Sequence, residues 1–181
     1  YNQKGVDPAT EQIITMETDF YTIEFSTAGA YITSLTLNDH VGDNGENVNM
    51  VYPLVENRGA FELSFGENYN NPIKKPFYFK KLSQYEYQFS QIFTMSLAGD
   101  KQSPPFTITK IFRFVPSEYM MEITVEMENS VNEYVPLNYN GYAYSLTYGP
   151  QIGPSFDKLD GRYFFRQFQI FWIFFYGNFP V

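Results

Sequence analysis

The chain has 181 residues, enough for one compact domain with a sizeable apolar core. Twelve basic against twenty acidic side chains give a net charge of −8, which excludes a nucleic-acid binder built on clustered Lys and Arg and argues against adhesion to anionic lipid headgroups. Nineteen Phe and 16 Tyr lean the composition toward strands, and the lack of cysteine removes disulfides and thiolate metal sites.

Residues 1–12 are polar, carry Gly5 and Pro8, and read as a flexible lead-in without the apolar stretch of a secretory signal. From residue 13 onward the pattern is that of a single β-sandwich domain, 13–181. Tyr21, Ile23 and Phe25 alternate with Thr22 and Glu24. After Thr27-Ala28-Gly29-Ala30, Tyr31, Thr33 and Leu35 alternate with Ile32, Ser34 and Thr36. This is a hairpin, with Gly29 supplying the permissive backbone of its turn.

HVGDNGENVNM, 40–50, reads as a polar loop, and MVYPLV and AFELSFG as short strands. GENYNNPIKKP, 66–76, is a second loop, followed by strands at FYFKKLS, YEYQFSQ and IFTMSLAG. The clearest hairpin is FTITKIFRFVPSEYMMEITVEMEN. In its first arm Ile108, Lys110, Phe112 and Phe114 share one phase. Its second arm has an apolar face (Met121, Ile123, Val125, Met127) and a mostly acidic one (Glu122, Thr124, Glu126, Glu128), so the sheet has a core side and a wet side. Short strands at turn spacing, with little helical periodicity, give an all-β, mainly antiparallel fold.

Chemistry-bearing patterns are sparse. His40, the single histidine, sits beside Asp39 and reads as a surface residue; without Cys or a second His, zinc is not expected. DNGEN, 43–47, offers oxygen ligands near Asp39 but lacks the alternation of an EF-hand loop, and reads as an Asx-type turn. Phosphate-binding glycine loops and nucleophile elbows are absent from the sequence. Hence no catalytic, cofactor-binding or metal-ligating residues are assigned, and no cofactor is expected.

In YSLTYGPQIGPSFDKLDGRYFF, 144–165, two Gly-Pro pairs bracket Gln151-Ile152. Pro150 and Pro154 fix φ and remove two donors, so the segment leaves the sheet or lies along its edge, as a rigid corner. The tail 163–181 holds ten aromatics in nineteen residues, Trp172 among them. It reads as a core strand, with a surface for apolar clients as the competing reading.

ETDFYTIEFSTAGAYITSLTL, then TITKIFRFVPSEYMMEITVEMEN, then YSLTYGPQIGP followed by DGRY, occur in an order that resembles the large periplasmic domain of the YidC-type membrane protein insertases of Gram-negative bacteria. Thr27, Gly29, Ala30 and Ile32 match the family's first turn. Phe112, Phe114, Ser117, Tyr119, Val125 and Asn129 match its second hairpin. Gly149, Pro150, Gly153 and Pro154, with Asp160 and Gly161 downstream, match its Gly-Pro segment.

The resemblance implies a β-supersandwich similar to galactose mutarotase-like folds, on the periplasmic face of the bacterial inner membrane. It implies tethering by a first transmembrane helix and work alongside the Sec translocon and SecDF, with nascent membrane proteins handled by a transmembrane core. The family's domain usually runs well past the Gly-Pro motif, where this chain has only the aromatic tail, so no partner-contact residue is carried over. Three functions therefore stand beside one another: a non-enzymatic interaction module of an insertase, a carbohydrate-binding or mutarotase-like sandwich, and a chaperone-like surface. The mutarotase chemistry would need a general acid and base, and only His40 could supply the imidazole.

Overall fold

A computed structural model describes residues 10–42, 44–51, 58–66, 70–96, 101–129, 135 and 142–148. Ten strands run through them, and no helix occurs among the described residues: β1 Ile13–Glu17, β2 Tyr21–Ser26, β3 Tyr31–Val41, β4 Asn47–Asn49, β5 Glu62–Phe65, β6 Tyr78–Ser83, β7 Glu86–Phe93, β8 Phe106–Phe114, β9 Met121–Asn129 and β10 Tyr144–Thr147. They form two four-stranded antiparallel sheets, β1-β2-β3-β4 and β6-β7-β8-β9, and a two-stranded antiparallel pair, β10-β5. The all-β, antiparallel reading of the sequence holds.

Both four-stranded sheets are meanders, each strand pairing with its neighbour in the chain. The β2–β3 hairpin forms where the alternation places it, and burial follows the pattern: Tyr21, Ile23 and Phe25 are buried while Glu24 is exposed. A register shift at Glu24/Phe25 leaves Thr33 as the extra residue of β3, and beyond it Tyr31 and Ile32, opposite Ser26 and Phe25, are both buried because the strand end is covered on both faces. The β8–β9 hairpin forms in the expected phase. Ile108, Phe112 and Phe114 are buried, Glu122 and Glu128 exposed.

Two boundaries differ from the sequence reading. β3 continues through His40 and Val41, because Val41 pairs with Asn47 in β4 and the polar loop shrinks to a tight connection. IFTMSLAG does not start a new strand. Ile92 and Phe93 complete β7 opposite Thr107 and Phe106, and Ser96 then bridges Gln102. AFELSFG does hold a strand, β5; most of MVYPLV lies outside the described residues.

The two large sheets face each other through aromatic rings. Phe25 on β2 is fully buried and reaches four rings of the second sheet: Phe112 at 5.0 Å, Phe89 at 5.4 Å, Tyr87 at 5.9 Å and Phe114 at 6.1 Å between centroids. The tilted and edge-on angles, 40–69°, suit the positive ring edge meeting a negative face, worth about 0.5–1.5 kcal/mol per pair beyond the area buried.

The segment 73–77 closes one side of the sandwich. Ile73 N–H donates to Leu63 C=O at 2.7 Å, and Phe77 N–H to Thr27 C=O at 2.8 Å. The chain around residue 60 is stitched to β3 by reciprocal bonds between Ile32 and Ala60, at 2.9 and 2.8 Å.

Candidate functional site

Gly29 sits in the β2–β3 turn at φ +88°, a left-handed conformation that glycine tolerates best. Its N–H donates to Lys75 C=O at 3.1 Å, and a Cβ there would overlap the carbonyl oxygen of Ile73. The turn is thus a seat for the 73–77 segment as well as a link between strands.

His40 and Asp39 are exposed at the end of β3; the imidazole stands edge-on to Tyr119, centroids 5.8 Å apart. In the next loop Glu46 N–H donates to Asn44 Oδ1 at 3.2 Å, an Asx-type turn, while Asp43 lies outside the described residues. No group of three His, Asp or Glu side chains among the described residues stands close enough to hold a metal ion. Gly149, Pro150, Gly153, Pro154, Asp160, Gly161 and Trp172 all lie outside the described residues.

The densest polar arrangement is inside the sandwich, where sequence reasoning assigned nothing. Lys110 of β8 projects from the core face between Phe89 and Val125, which flank it in register. It is fully buried. Its Nζ donates to the carbonyl of Ala30 and, at 2.6 Å, to that of Phe61, across the core from its own sheet. Ala30 and Phe61 both have positive φ, 53° and 64°, uncommon for residues with a Cβ. Desolvation lowers the Lys110 pKa from its ordinary 10.5 to about 7, with the charge of Glu62 working in the opposite direction.

Glu62, at the start of β5, is itself 1% exposed. Its Oε2 accepts from Arg58 Nε at 2.5 Å and its Oε1 from Lys74 Nζ at 3.0 Å. The Lys74 ammonium also lies 4.4 Å from the centroid of the Tyr31 ring. A buried carboxylate is tolerable only with such partners, because unpaired it would lose its hydration without return. The available signal was Lys110 in the apolar phase of TITKIFRF, a charge where the alternation calls for a core residue; Glu62 alternates with Phe61, Leu63 and Phe65 as a solvent-facing residue would, and is buried because β5 is covered on both faces.

On the outside of the second sheet, Gln88, Ser90 and Ile92 of β7, Thr107 and Thr109 of β8, and Glu126 and Glu128 of β9 line an open concavity of about 240 Å³. Register explains the grouping: Ser90, Thr109 and Glu126 form one cross-strand row, and Ile92, Thr107 and Glu128 the next. Hydroxyls, an amide and carboxylates make it a hydrogen-bonding face. Its carboxylates, Glu126 and Glu128, are half-buried and exposed respectively.

The comparisons with known proteins follow the same lines. A family model for the YidC periplasmic domain matches residues 13–154, starting at the first residue of β1. The chain belongs to the YidC periplasmic domain family. It is 29% identical over 170 residues to a membrane protein insertase YidC of Treponema denticola, covering 91% of this chain and 29% of that protein. A membrane protein insertase YidC of Treponema pallidum is 24% identical over 202 residues, covering 94% of this chain and 32% of that protein. For the YidC of Chlorobaculum parvum the identity is 36% over 74 residues, covering 40% and 12%. The chain therefore spans about a third or less of the length of these relatives. No solved structure matches.

Proposed function

We propose that this chain is the periplasmic domain of a membrane protein insertase and serves as a non-catalytic interaction or spacer module, on the periplasmic face of the bacterial inner membrane. The observation that carries the reading is the family match over 13–154, on a sandwich of two four-stranded antiparallel sheets. Insertion itself would belong to the rest of the protein, which the relatives possess at roughly three times this length. No helix among the described residues is long and apolar enough to cross a membrane. Association with the Sec translocon and SecDF belongs to the same proposal.

The test is to delete this domain from the full insertase in cells. Insertion of a reporter membrane protein should be largely retained while co-purification of SecDF weakens. Loss of all insertion would count against a spacer or docking role.

One feature favours a second reading, a carbohydrate-binding sandwich: the concavity over β7, β8 and β9 is lined by hydroxyls and carboxylates, groups that hydrogen-bond sugars. Calorimetric titration with galactose and glucose decides it. Heat of binding abolished by Thr109→Val would support it, and absence of heat at millimolar sugar would remove it.

A further inference from the structure

We propose that Lys110 is a proton-operated latch: the uncharged amine holds the Ala30 and Phe61 segments against β8, and protonation loosens them. The geometry sets up two states. Ala30 and Phe61 lie on neighbouring stretches joined by the Ile32–Ala60 bonds, and both carry left-handed backbone that relaxes if the surroundings release it. The amine of Lys110 is the cross-core tie that both carbonyls share.

An uncharged amine has two N–H donors, and two carbonyls receive them. An ammonium has three, the third facing the Phe112 ring, whose centroid is 5.3 Å from Nζ; two carbonyls and a ring replace its hydration shell only in part, and that lost hydration is what protonation costs the closed state. Glu62 does not make an ion pair with Lys110 that would fix the charge: its two oxygens are engaged by Arg58 and Lys74.

The groups around Lys110 define what titrates. From its own sheet, Phe89 and Val125 contribute no charge. From the opposite side come Tyr31 beside Ala30, Glu62 beside Phe61, and the Arg58 and Lys74 cations that meet Glu62. Tyr31 stays neutral throughout, since burial raises its pKa above 10.0. Lys110 changes charge near neutrality, with a pKa of about 7 when held and 10.5 when hydrated. The latched state thus gains on the open state as pH rises from about 7 toward 10.5, and is weakest, without further change, below about 7.

Amide hydrogen exchange reads this directly on the whole protein. The reporters are the Ile32 and Ala60 amides, which bond each other's carbonyls, and the control is the Gly42 amide, bonded to Glu46 C=O at 2.8 Å in the β3–β4 connection, which opens without hydrating Lys110. Ordinary exchange through a pH-independent opening accelerates about tenfold per pH unit with hydroxide. In the wild type, between about pH 7 and about pH 9, the reporters should stop accelerating because the opening constant falls about tenfold per unit, while the control keeps its slope.

Lys110→Gln keeps amide donors but cannot titrate, so its reporters should regain the full slope. Lys110→Met serves if the glutamine variant does not fold. A full hydroxide slope at Ile32 and Ala60 in the wild type, or a flattening that persists in either variant, overturns the latch.

Discussion

At Lys110 burial and hydrogen bonding pull in opposite directions, and the balance has a sign that a pH series can read. The unfolded chain holds this proton up to about pH 10.5, while the folded chain releases it at about 7. Below 7 both states are protonated and the full cost of burying an ammonium is borne. Between the two values the unfolded state binds more protons, so folding stability rises with pH, by at most about 1.4 kcal/mol per unit. Burial raises the pKa of Tyr21, Tyr31 and Tyr144, the last to about 12, so stability from these neutral phenols is present below 10.0 and lost above it. The rise should therefore be visible from about pH 7 to 10 and be offset beyond. Guanidinium unfolding of the wild type and Lys110→Met across this range checks it. The stability difference should tilt toward the wild type as pH increases, and parallel curves would show that Lys110 keeps an ordinary pKa.

At the scale of elements, alternation was legible wherever one face meets the core and the other meets water. β2, β8 and β9 fall in the phase that their Phe, Ile and Glu residues dictate. It failed where the two faces are alike. NDHV at the end of β3 is exposed or half-buried along its length, and the pairing of Val41 with Asn47 is a tertiary choice that local propensity does not encode. The Gly29 turn was legible as a turn but not as a seat, because the docking of 73–77 on it spans more than forty residues. That docking makes a prediction. Gly29→Ala must hold a left-handed φ with a Cβ and push the Ile73 carbonyl away, which should destabilise the fold by roughly 2–4 kcal/mol. Urea denaturation measures it; a cost below about 0.5 kcal/mol, the usual range for open surface positions, would mean that the segment does not rest on the turn.

The molecule as a whole rests on contacts between its sheets, and here the sequence showed the material without the arrangement. Its aromatic content announced a core of rings, but which rings meet follows from how the β1–β4 and β6–β9 meanders stack. The β10–β5 pair, with Tyr144 opposite Phe65 and Thr147 opposite Glu62, could not be foreseen from local pattern. The same limit hid the Lys110 and Glu62 cluster: a charge in an apolar phase is an anomaly in a sequence, and becomes part of a network only when β8 faces the start of β5.

Phe25 tests the stacking directly, since it is the first-sheet ring that meets Tyr87, Phe89, Phe112 and Phe114. Phe25→Ala removes a fully buried ring from a site walled by other rings that cannot close the gap, and should cost about 3–5 kcal/mol. Phe25→Leu, which keeps much of the volume but none of the edge-to-face geometry, should cost clearly less. Calorimetric melting of the three proteins separates the cases. If Phe25→Ala melts within a few degrees of the wild type, the sheets do not pack through this ring. If the leucine variant falls as far as the alanine, the aromatic geometry outweighs the buried volume in holding the sandwich closed.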